Sequence, residues 1–118
     1  MIMSVSASEA ILSDYQIFDV RSKAEWRDTG VIKGSVLLSF NLSNGSPNPD
    51  FLSEFKRLAD TSRPIAIICA AGLRSAAAAN LIKAKLGIET TNLKGGMYKL
   101  LEEGFQGESY HGQDLSQG

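Results

Sequence analysis

The residues able to do chemistry are gathered in one short stretch, Cys69-Ala-Ala-Gly-Leu-Arg-Ser75. Cys69 is the only cysteine in the chain, and Ile65-Ala-Ile-Ile68 before it is an unbroken apolar run. Such a run is expected of a strand buried on both faces of a parallel sheet. From Arg74 the pattern changes: Ala78, Leu81, Ile82 and Leu86 fall at helical spacing, and Gly87 stands where a glycine ends a helix. A thiol therefore sits where a strand stops, a tight turn begins and a helix N-terminus points back toward it. First-turn amides have no partner inside their helix and carry partial positive charge, so they favour an anion in front of them. A thiolate is such an anion, and this setting makes a cysteine sulfur reactive. A short turn of this kind can also aim several amides into one concavity. Gly72 supplies backbone freedom for it, and Arg74 adds a permanent positive charge with planar donors. The small side chains of Ala70 and Ala71 leave the amides accessible. A cysteine closing an apolar strand is more often packing material. A glycine, an arginine and a helix start so close behind it suit anion binding instead.

Several elements must position this loop. Residues 6–14 read as a short helix, with Ser6 or Ser8 as cap and Ala10, Ile11 and Leu12 turned inward. Residues 15–21 form a strand around Ile17, Phe18 and Val20. Asp19 and Arg21 then lie at its C-terminal end, the edge where sites assemble in open α/β sheets. Both read as a structural ion pair or capping network beside the site. Residues 23–29 make a helical turn ended by Gly30, and residues 36–40 another strand. The stretch 41–50 is loop, dense in Asn, Ser, Gly and Pro. Asp50 caps a helix whose apolar face is Phe51, Leu52, Phe55 and Leu58. Residues 89–93 form a short strand, 94–96 a turn, and 97–103 a last helix closed by Gly104. Alternating strand and helix signals predict an α/β three-layer sandwich. Its central, mostly parallel sheet has four or five strands, with helices on both faces and right-handed crossovers.

At 118 residues the chain is one domain, expected over 1–106, with 107–118 a flexible, glycine-rich tail. Apolar residues make up 43 % and charged residues 21 %, the proportions of a soluble globular protein. The net charge is −1 and no basic run exists, so neither nucleic acid nor membrane is an expected partner. One cysteine excludes an internal disulfide and a cysteine-based metal cluster. The N-terminus carries no secretory pattern and no window approaches a membrane span. A free thiol favours a reducing compartment, so a cytoplasmic location is expected. The one histidine, His111, falls in the tail, which argues against a Cys-His hydrolase or acyltransferase.

The loop Cys-x-x-Gly-x-Arg-Ser resembles the active-site loop of the single-domain rhodanese-like (sulfurtransferase) family. Three further segments resemble family elements in the same order. Asp19-Val20-Arg21 with Glu25 matches a "DVR…E" signature, residues 30–35 resemble "GHIxGA", and Leu93-Lys94-Gly95-Gly96 resembles "L-x-G-G". Together they span residues 17–105. The chain departs at Val31, where the family has histidine, and at Leu100, where it usually has tryptophan. Three residues rather than two also separate Trp26 from Gly30. The resemblance implies sulfur transfer, with Cys69 as nucleophile and Ala70, Ala71, Gly72, Leu73 and Arg74 holding the transferred sulfur. Asp19, Arg21 and Ser75 are implied to be structural residues near the site. The donor would be thiosulfate or a persulfide, the acceptor a thiol or a protein, and no metal or organic cofactor is needed. With Arg74 the one basic side chain of the loop, only modest activity on thiosulfate is expected.

Other readings share these residues. A phosphatase or arsenate reductase also cradles an oxyanion in a Cys-to-Arg loop. The resemblance assigns five intervening residues to that class and four, the number found here, to sulfurtransferases. A non-catalytic binding module on the same fold is a further alternative. So is a relay carrying persulfide sulfur between proteins.

Overall fold

The computed structural model describes residues 2–112. Five strands, β1 (Met3–Ser6), β2 (Gln16–Asp19), β3 (Val36–Leu37), β4 (Ile65–Ile68) and β5 (Thr91–Lys94), form one sheet in the order β1-β5-β4-β2-β3. All pairings are parallel, which tight hairpins cannot connect. The connections include a 3₁₀ segment (Glu9–Asp14) and the helices α1 (Lys23–Thr29), α2 (Phe51–Leu58) and α3 (Leu73–Leu86); α4 (Gly96–Glu102) follows β5. The expected α/β architecture is therefore present, with five strands.

Alternation along the central strand builds both outer layers. Ile65, Ile67 and Cys69 join Phe18 and Val20 on one face, against Phe51 and Phe55 of α2 and Ala78, Ala79 and Ile82 of α3. Ala66 and Ile68 join Ile17 and Leu93 on the other face, against Leu12, Met97 and Leu100. This explains why all four residues of β4 are apolar. Leu100 fills its core position without a tryptophan. Val31 packs in a separate cluster with Trp26, Leu37 and Tyr110.

Three local expectations change. Residues 3–6 pair with β5 as an edge strand, which a mostly exposed Met-Ser-Val-Ser segment does not advertise. The N-terminal helix is a 3₁₀ segment capped by Ser8, and it buries Leu12 while Ala10 stays exposed. The packed chain also runs past the expected boundary at 106. Glu108 and Val31 exchange backbone hydrogen bonds of 2.8 and 2.7 Å, and the Tyr110 ring lies 5.5 Å from that of Trp26. Gly107 makes this approach possible, since a Cβ there would stand 2.9 Å from the Thr29 carbonyl oxygen. Residues 113–118 of the expected tail lie outside the described residues. No helix among the described residues is long and apolar enough to cross a membrane.

Candidate active site

Strand β4 ends at Ile68, and Cys69 follows at the C-terminal edge of the sheet. The chain turns through Ala70 and Ala71 and enters α3 at Gly72, the N-cap residue, whose φ is 108°. That turn brings the Gly72 amide to Cys69 Sγ, to which it donates at 3.0 Å. Ser75, one turn into the helix, places its Oγ 3.2 Å from the same sulfur. Leu73 and Arg74 occupy the first helical positions, where amides have no intrahelical partner.

The sulfur therefore has two environments. The Cys69 side chain is 1 % exposed and borders the apolar cluster under α2 and α3. Its sulfur nevertheless meets a backbone donor and a hydroxyl, while Ala71 and Leu73 beside it are open to solvent. Burial strengthens these polar contacts, because little water competes for them.

The start of α4 holds the loop from below. Met97 N–H donates to the Cys69 carbonyl and Tyr98 N–H to that of Ala70, both at 2.9 Å. Gly96, at φ 58°, makes this possible: a Cβ there would collide with the Cys69 carbonyl oxygen and stand 2.5 Å from that of Ala70. The glycine at position 96 is thus a packing requirement of the cysteine loop.

The Arg74 guanidinium is paired with a carboxylate. Its Nη1 and Nη2 donate to the two Glu25 carboxylate oxygens, each at 2.7 Å. Glu25 also completes a capping box with Ser22 at the start of α1, which fixes the carboxylate in place. The hydrogen bond from Arg74 is the main reason that the Glu25 carboxyl titrates at about 2 rather than 4.5, despite opposition from burial. Glu25 in turn raises the Arg74 pKa, with smaller contributions from Cys69 and Asp19.

A pH dependence follows. The folded-state value lies below the unfolded one, so the pair stabilises the fold above pH 4.5 and is lost as pH falls toward about 2. About a third of each side chain remains wet, so its contribution is about 1 kcal/mol. Glu25→Gln should lose that amount at pH 7, and the gap from the parent should close between pH 4.5 and 2. A gap unchanged across that range in urea titrations would refute the assignment.

Asp19 and Arg21 form a buried ion pair, with Nε donating to Oδ1 at 3.0 Å and Nη2 to Oδ2 at 2.8 Å. Arg21 also donates to the Gly30 carbonyl at 2.9 Å and to Thr29 Oγ1 at 2.7 Å. The pair therefore ties the end of β2 to the end of α1, the helix that carries Glu25.

One neighbour of the loop, Asn92, was not singled out in the sequence. Asn92 of β5 accepts from Ser75 Oγ at 2.5 Å, and its Nδ2 donates to Ser4 Oγ at 3.4 Å. A polar residue in the middle of a strand was the available signal. Glu25 stood in the sequence as part of the "DVR…E" signature, but nothing local to it pointed to Arg74 as its partner. His111 is exposed.

An α/β sheet that presents one thiol to a helix N-terminus defines a cysteine-loop domain. The rhodanese-like domain model matches residues 5–103, and the chain belongs to that family. No curated protein matches it. Among solved structures, it is similar to a rhodanese-like domain protein from Staphylococcus aureus, at 26 % identity and a TM-score of 0.69, covering 92 % of this chain and all of that one. It is similar to a rhodanese-related protein from Thermoplasma volcanium at 26 % identity and a TM-score of 0.66, with 87 % of this chain and 94 % of that one covered. A protein from Rhodopseudomonas palustris described as a possible tyrosine phosphatase is 27 % identical, with a TM-score of 0.65 over 91 % of this chain and 85 % of that one.

Proposed function

We propose that the chain is a sulfurtransferase working through a persulfide on Cys69. The observation that carries this reading is the Cys69 sulfur within 3.0 Å of the Gly72 amide, at the N-terminus of a 14-residue helix. The Cys69 thiolate attacks the outer sulfur of a donor such as thiosulfate or a persulfide. A new S–S bond forms as the donor's S–S bond breaks, and the leaving group, sulfite in the case of thiosulfate, departs with the electron pair. The main chain of Ala70, Ala71, Gly72, Leu73 and Arg74 supplies the rim for the terminal, negatively charged sulfur. Asp19, Arg21 and Ser75 keep that rim in place. A thiophilic acceptor, cyanide in a test tube or a small or protein thiol in a cytoplasm, then takes the terminal sulfur and restores the thiolate. Two half-reactions through a covalent intermediate give ping-pong kinetics. The scheme needs no metal or organic cofactor.

Glu25 offsets the charge of Arg74, so the loop offers little net attraction to a doubly charged donor. Modest activity on thiosulfate remains the expectation, well below the diffusion limit of about 10⁸ M⁻¹s⁻¹. Thiocyanate should form from thiosulfate and cyanide, and Cys69→Ser should abolish it. The similarity to a possible tyrosine phosphatase favours one second reading, phosphate-ester hydrolysis. A loop with four residues between cysteine and arginine makes a smaller ring of amides, suited to one sulfur rather than a phosphate. Turnover of an aryl phosphate that disappears in Cys69→Ser, without thiocyanate formation, would replace the first reading by the second.

A further inference from the structure

We propose that Asn92 is a positioning residue for the Cys69 sulfur, setting through Ser75 whether the sulfur meets a hydrogen-bond donor or an acceptor. The inference rests on the reading of Cys69 as the reacting group. Ser75 Oγ carries one proton and stands between two partners, Cys69 Sγ at 3.2 Å and Asn92 Oδ1 at 2.5 Å. An amide oxygen can only accept, so the Ser75 proton goes to Asn92. Ser75 then turns a lone pair toward the sulfur. This arrangement suits the thiol, whose S–H can donate to Ser75. At the far end, Asn92 Nδ2 donates to Ser4 Oγ. Ser75 and Asn92 are both buried, so water does not readily replace either partner.

An ionised sulfur needs the opposite arrangement, with Ser75 as its donor. A half-turn of the Asn92 amide provides it. Nδ2 then donates to Ser75 Oγ, the Ser75 proton is free for the thiolate, and Oδ1 faces the Ser4 hydroxyl, which can donate in return. The S–H bond is the one covalent bond broken, and its proton passes to water. All other changes are rotations. The Gly72 amide donates to the sulfur in both arrangements. The charged groups around the loop are Arg74 with Glu25 and the buried Asp19 with Arg21. Those pairs are common to both arrangements, which leaves the choice to Ser75 and Asn92.

The test is the pH dependence of Cys69 alkylation by iodoacetamide, a neutral reagent that needs no sulfur donor. Asn92→Asp and Asn92→Leu are each compared with Ser75 intact and with Ser75→Ala. Aspartate offers only acceptors, holds the Ser75 proton away from the sulfur and should move the alkylation midpoint up by about one pH unit. Leucine removes the competing acceptor, leaves the proton to the sulfur and should move the midpoint down. Both shifts should lose more than half their size with Ser75→Ala, as expected of coupled neighbours. Shifts in the same direction, no shift, or shifts of full size without Ser75 would overturn the proposal. If circular dichroism shows that one Asn92 variant does not fold, the other decides alone by its direction and its dependence on Ser75. Failure to form a persulfide would count against sulfur transfer but not against this coupling, so the two readings fail separately.

Discussion

Gly96→Ala should be among the most damaging single-methyl changes in this protein. At φ 58° an L side chain already costs about 1–2 kcal/mol. The added Cβ would also press into the Cys69 and Ala70 carbonyl oxygens, backbone atoms that already accept from Met97 and Tyr98. Relief requires the cysteine loop and α4 to separate, so the total penalty should reach about 3 kcal/mol or more. For a domain of this size that lowers Tm by more than about 10 °C. Cys69 reactivity should fall with it, because the same movement shifts the Gly72 amide relative to the sulfur. A thermal melt within 2–3 °C of the parent, roughly the effect of a change below 1 kcal/mol, would show that the contact is not as tight as described.

Asp19→Ala should have an effect of similar size for an electrostatic reason. Arg21 is 2 % exposed and Asp19 fully buried, so the guanidinium would lose its counter-charge with no water to replace it. Breaking such a pair costs about 3–5 kcal/mol, a large part of the roughly 5–15 kcal/mol that holds a typical domain folded. Thr29 and Gly30 would still accept from Arg21 but cannot neutralise it. Removing both charges with Asp19→Leu and Arg21→Met should be milder than removing the carboxylate alone. Urea denaturation reads this as a lower midpoint with little change in slope. A single variant within about 1 kcal/mol of the parent, or a double variant worse than the single, would contradict the account.

The parts legible in the sequence were those where local pattern and tertiary role coincide. The apolar run of β4 and the helical spacing of α3 bracket Cys69 tightly enough to place the thiol at a strand-to-helix turn. The observed helix starts at Leu73, one residue before Arg74. The region of α1 was legible as well, because Gly30 ends it, while its Ser22–Glu25 capping box emerged only in the structure. The edge strand β1 was not, since it contributes mainly backbone pairing and few buried side chains. Contacts distant in sequence were also hidden. Glu25 and Arg74 are 49 positions apart, and Ser4 and Asn92 are 88 apart. Composition misled at residues 107–110, where glycine permits close backbone approach.

The central claim is that the Cys69 sulfur can take up and release one sulfur atom. Intact-mass measurement of the protein after incubation with thiosulfate tests it most directly. The account predicts a gain of a single sulfur atom, localised to Cys69, removed by cyanide and absent from Cys69→Ser. A folded protein whose mass stays unchanged with both thiosulfate and a small-molecule persulfide, or a gain that survives Cys69→Ser, would contradict it.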